Sequence, residues 1–147
     1  MTEFCVTYKQ AIALKKLGFD EPCLHKYDVD GCLISNSYMP DSHEIVFVTI
    51  GDLYDSANKR VPNKHYIADA PTIAQAQEWL RVNKGFDIST YVHYCEKRRY
   101  DGQLKWEEDS RVRCILLDRE DSPAEVISNA ITECLRILEG NDKDQRV

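Results

Sequence analysis

The sequence predicts an α+β fold: an antiparallel sheet with about three capped amphipathic helices packed on one face. Three observations predict it. Thr72-Ile73-Ala74-Gln75 and Ser122-Pro123-Ala124-Glu125 have the spacing of capping boxes placed ahead of apolar residues at helical intervals. Between these two stretches, from Phe86 to Leu117, apolar residues shift to alternate positions, the period of a strand. The polar breaks that interrupt this alternation are short, which favours an antiparallel meander over parallel crossovers.

In chain order, Thr7-Tyr8-Lys9-Gln10 opens a first helix, with Ala11, Ile12, Leu14 and Leu17 ahead of a Gly18 stop and Phe19 folding back on the last turn. Leu24 to Tyr27 and Cys32 to Ser35 flank Asp28-Val29-Asp30-Gly31, a hairpin with Gly31 where φ must be positive. Asn36 to His43 contains Pro40 and reads as a surface loop, while Glu44 to Ile50 is apolar and β-branched enough for a strand. Gly51 to Ala70 carries apolar pairs at Leu53-Tyr54 and Tyr66-Ile67 but no assignable period, so residues 36–67 read as a loop-rich insertion. The first helix and hairpin are expected to extend the sheet formed later in the chain.

The helix after Thr72 presents Ile73, Ala76, Trp79 and Leu80 and should stop at Gly85. Phe86, Ile88, Thr90, Val92 and Tyr94 then share one strand face, and Asp87, Ser89, Tyr91, His93 and Cys95 share the other. Lys97 to Gly102 supplies turn chemistry. Leu104 and Trp106 alternate in a return strand, and Val112, Cys114 and Leu116 alternate in a third after the break at Glu108-Asp109-Ser110. The last helix starts with Pro123 in its first turn, gathers Val126, Ile127, Ala130, Ile131, Cys134, Leu135 and Leu138 on one face, and is expected to end at Gly140 before a flexible tail over 141–147. Residues 1–140 are expected to form a single domain, with helix, hairpin and insertion in 7–70 and helix, meander and helix in 71–140.

A net charge of -6 over 147 residues weakens any general attraction to nucleic acid or anionic lipid. The opening Met-Thr-Glu-Phe-Cys-Val has neither the basic region nor the apolar core of a secretion signal, and no segment reaches the roughly 20 apolar residues of a membrane span. A cytoplasmic location is expected, with no membrane partner. The six cysteines (Cys5, Cys23, Cys32, Cys95, Cys114, Cys134) follow no paired motif and read as free thiols, most of them buried.

No stretch carries the chemistry of a catalytic or metal centre, and no cofactor is expected. Asp28-x-Asp30-Gly31 begins like a calcium loop, but the twelfth position, which must be a bidentate acid, is Met39. Cys23, His25 and Cys32 lack a fourth zinc ligand at compact spacing. His93 and Cys95 share a strand face without an orienting third group, and Glu107, Glu108 and Asp109 fall in a turn rather than a cleft. The densest cluster is Lys97, Arg98, Arg99 and Tyr100, with Lys105, Arg111 and Arg113 on neighbouring strands. Basic and aromatic side chains together hold phosphates and stack bases, and charge also protects a sheet edge.

Two resemblances bear on function. The order helix, three strands, helix resembles the double-stranded-RNA-binding domain in topology alone; where that family has lysines at the start of its last helix, this chain has Asp118, Glu120, Asp121 and Glu125 around Arg119. Leu17-Gly18-Phe19-Asp20-Glu21-Pro22-Cys23, taken with Ala70-Pro71-Thr72 and Glu78-Trp79-Leu80-Arg81, resembles small uncharacterised proteins encoded by tailed phages and prophages of gut Bacteroidales bacteria. That resemblance implies a phage gene acting in a bacterial cytoplasm, without an activity to transfer. The expectation is a non-enzymatic interaction protein whose partner is a host or phage protein. The alternative is a nucleic-acid-binding module using Lys97, Arg98, Arg99, Tyr100 and Lys105.

Overall fold

The computed structural model describes residues 4–35, 38–39, 44–45, 66–94 and 97–144, and its architecture is α+β. The chain divides into two compact units, Met1–Thr72 and Ile73–Val147.

In the first unit, helix α1 (Tyr8–Lys16) begins at a complete capping box. Gln10 N donates to Thr7 Oγ1 at 3.2 Å and Thr7 N donates to Gln10 Oε1 at 2.9 Å. Its end is a Schellman motif, with Phe19 N bonded to Leu14 O and Gly18 N to Lys15 O around a φ of 96° at Gly18. Phe19 is buried, as the fold-back predicts. Strands β1 (His25–Asp28) and β2 (Leu33–Ser35) form the expected hairpin, and Asp28 Oδ1 accepts from Asp30 N and Cys32 N, both at 2.9 Å. A two-residue ladder joins β3 (Tyr38–Met39) to β4 (Glu44–Ile45), so β3 lies inside the stretch that reads as loop; residues 46–50 of the expected strand lie outside the described residues. Strand β5 (Tyr66–Ala70) pairs antiparallel with β1.

The sheet order is therefore β2-β1-β5, with β1 central. This corrects the expectation that the first hairpin extends the later sheet: the hydrogen bonds of β1 are used by β2 and β5. The missed strand β5 has small alanines at 68 and 70 and a charge at 69, a pattern with little apolar alternation.

In the second unit, α2 (Ile73–Lys84) follows Thr72 and ends where Gly85, at φ 73°, donates to Arg81 O. Strands β6 (Asp87–Tyr94), β7 (Arg98–Glu108) and β8 (Arg111–Glu120) form the expected antiparallel meander in the order β6-β7-β8. Asp109 and Ser110 both have positive φ, 53° and 62°, so the β7–β8 link is a two-residue turn of the type that matches strand twist. Helix α3 (Pro123–Asp144) is capped by Ser122, whose Oγ accepts from Glu125 N at 3.2 Å. It lies across all three strands, and α2 packs on α3 and β6. The core holds Trp79, Leu80, Phe86, Leu104, Val126, Ala130, Ile131 and Cys134.

Two boundaries differ from expectation. Arg98 to Gly102 is strand rather than turn: paired with β6 from Lys105 back to Arg98, it continues the ladder without a break. Gly102 serves close packing instead, because a Cβ there would overlap Val126 Cγ1 and stand 2.9 Å from Leu117 Cδ1. At the other end, Gly140 lies within α3, which runs on to Asp144; residues 145–147 lie outside the described residues. A glycine without positive φ is tolerated inside a helix at a cost of about 1 kcal/mol.

Candidate functional site

Alternation along β7 assigns the two faces of the second sheet. Gly102 and Leu104 are buried beneath α3, so their cross-strand partners Thr90, Ile88, Leu117 and Ile115 share that face. The odd-numbered residues of β7 point the other way. Across this open face run the rows Asp87-Lys105-Cys114, Ser89-Gln103-Leu116, Tyr91-Asp101 and His93-Arg99. Its apolar members stand in solvent: Leu116 is 73% exposed, Val112 75% and Tyr91 47%. The Val112-Cys114-Leu116 stripe that alternates in the sequence thus faces outward, while Ile115 and Leu117 turn toward α3.

Beside this stripe the polar side chains are bound to one another. Between Tyr100 and Gly102 the β7–β8 register slips, leaving both Asp118 and Arg119 opposite Asp101. Asp101 there accepts from Arg119 Nε at 2.9 Å and stands 3.4 Å from His93 Nδ1. The Arg119 hydrogen bond, reinforced by the charges of Arg119, His93 and Arg99, holds the Asp101 carboxyl below the usual carboxylate range despite its partial desolvation. Its charge is therefore lost at a lower pH than that of an unpaired aspartate. Arg99 donates to Arg119 O at 3.1 Å, and its Nε lies 3.2 Å from Asp121 Oδ1 without the alignment of a hydrogen bond. Gln103 Nε2 meets Cys114 Sγ at 2.7 Å.

The basic residues singled out by sequence do not form one surface. Lys97 pairs with Asp121 at 3.8 Å and Arg99 with the same carboxylate at 3.2 Å, and Lys105 stands on the open face about 20 Å further along the strand from Arg99. Arg98 and Tyr100 have the opposite parity, with the Arg98 guanidinium 5.4 Å from the Tyr100 ring centroid. Acids meet the neighbouring arginines as well, Glu108 reaching Arg113 at 3.8 Å. His93 is tied to Asp101, and Cys95 lies outside the described residues. Sequence reading placed the arginines in a turn and so missed that Asp101, Arg119 and Asp121 meet them; the signal was the length of β7, which reaches back through the charged run.

In the first unit the polar feature is internal. Lys26 on β1 and Asp69 on β5 are direct cross-strand partners, with Nζ to Oδ1 at 2.6 Å and both residues buried. Tyr27, of opposite parity, donates its hydroxyl to Val6 O at 2.7 Å and packs edge-on against Tyr8. Burial pushes the nearby Cys23 thiol up to about 12, with the Asp69 charge adding to the shift. Cys134 is pushed up to about 12 by burial as well, so neither thiol is a nucleophile at neutral pH. The free thiols Cys32 and Cys114 are exposed. Among the described residues, no three His, Cys, Asp or Glu side chains group as metal ligands, and no helix is long and apolar enough to cross a membrane.

Comparison with protein-family models, with curated proteins and with solved structures finds no match to this chain.

Proposed function

We propose that this chain is a non-enzymatic interaction protein that binds another protein through the open face of β6, β7 and β8. The observation that carries the reading is the exposure of Tyr91 and Leu116 beside a charged cluster whose members are already paired. Apolar and aromatic side chains next to arginine are the composition of interface centres, and desolvating an ion pair that is already formed costs less than desolvating its separate charges. The phage-protein resemblance supplies the setting: the cytoplasm of a bacterial host, with a host or phage protein as partner.

Affinity capture of the tagged chain from bacterial host lysate, with and without nuclease, tests this. The reading expects a protein partner that survives nuclease and is lost, by tenfold or more in affinity, on Tyr91→Ala, the scale of truncating an interface anchor. If the bound material instead disappears with nuclease, and Arg98→Ala with Arg99→Ala lowers the salt slope by about one unit per phosphate contact, the basic segment binds nucleic acid and the proposal fails.

A further inference from the structure

Strand β8 is an edge of its sheet, hydrogen-bonded to β7 alone among the described residues. It is ten residues long, and an open groove of about 290 Å³ lined by Ile115, Leu117, Asn129, Thr132 and Glu133 runs between it and α3. A long edge strand with unpaired backbone groups and outward apolar side chains is a template for another strand. The remaining question is which strand fits.

The sequence of β8 selects its own copy. Two copies related by a two-fold axis normal to the sheet pair antiparallel, and each register is defined by the residue that meets itself. Centred on Arg113, the pairing opposes two guanidinium groups. A centre at Ile115 sets Arg111 against Arg119 and Val112 against Asp118, while one at Leu116 sets Arg113 against Arg119 and Cys114 against Asp118. Centring on Cys114 sets no like charges against each other over residues 111–117: Val112 faces Leu116 twice, Arg113 faces Ile115, Arg111 faces Leu117, and Cys114 faces Cys114. The register slip at Asp118 and Arg119 bends the strand where this complementary segment ends.

We propose that the chain forms a two-fold homodimer by antiparallel pairing of β8 with β8 of a second copy, centred on Cys114, making one six-stranded sheet. The inference uses the same exposed face as the proposed partner site and doubles it, so each dimer presents two copies of Tyr91. The Cys114 pair stands about 4.5–5.5 Å apart at the Cα atoms.

Sedimentation of the full chain over a concentration series, with cross-linking by a short bis-maleimide that adds one thiol to each of its two double bonds, tests the pairing. The expected mass rises toward twice 17.0 kDa. Cross-linking persists in Cys32→Ser and disappears in Cys114→Ser. Leu116→Glu, at an exposed position whose fold is checked by circular dichroism, weakens dimerisation at least tenfold. Adding Val112→Lys to Leu116→Glu restores it, because opposite charges then face each other in this register. A monomer at every concentration up to on the order of 100 µM overturns the proposal. So does a dimer indifferent to Leu116→Glu, a double variant that stays monomeric, or a cross-link that survives Cys114→Ser. Tyr91-dependent capture of a partner by a monomeric chain would separate failure of the dimer from failure of the binding surface.

Discussion

Lys26 and Asp69 set the energetics of the first unit at the level of single side chains. A buried pair gains little over an apolar pair of the same size, but removing one partner leaves an uncompensated charge. Lys26→Met alone is therefore expected to destabilise the fold by about 3–5 kcal/mol. The double variant Lys26→Met with Asp69→Leu should recover most of that loss, as read from denaturant midpoints at constant m. Equal loss in single and double variants would show that the site depends on something other than charge balance. Nothing in the sequence ties position 26 to position 69, because the contact spans 43 residues and one partner sits in a stretch without period. The Thr7 and Gln10 reciprocal cap was readable at once, since its partners are three residues apart.

Elements were legible where local chemistry fixes both ends and misread where tertiary packing decides. The two glycine stops at Gly18 and Gly85 have φ of 96° and 73°, the backbone state that the sequence reading required. Gly140 lacks that state, and α3 passes through it. Gly140→Ala, with nothing within 4 Å of the new Cβ, should thus stabilise the chain by about 1 kcal/mol in thermal or denaturant unfolding. Destabilisation would mean that the helix ends there after all. Gly102 illustrates the opposite case: beside Arg98, Arg99 and Asp101 it reads as turn, yet its lack of a side chain is what lets Val126 of α3 approach the sheet. The apolar stripe of β8 was visible in the sequence, whereas its outward orientation was not. Alternation alone does not say which of two partly apolar faces a helix will cover.

At the scale of the whole chain, each of two compact units holds a three-stranded antiparallel sheet among the described residues, and the second exposes Tyr91, Val112 and Leu116 on one face. The α+β class and the helix-meander-helix order were readable because each element carries its own cap or period. Separation of the sheets was not, because strand pairing over long sequence distances leaves no local mark. The central claim is that the open face of β6 to β8 is the surface that binds a protein partner. Hydroxyl-radical footprinting of the captured complex against the free chain tests it most directly, since among the described residues six large apolar side chains are exposed in known places. The account predicts that Tyr91 and Leu116 become protected while Phe4, Val29 and Val82 keep their free-chain reactivity. Protection of Phe4, Val29 or Val82 with Tyr91 and Leu116 unchanged would contradict it.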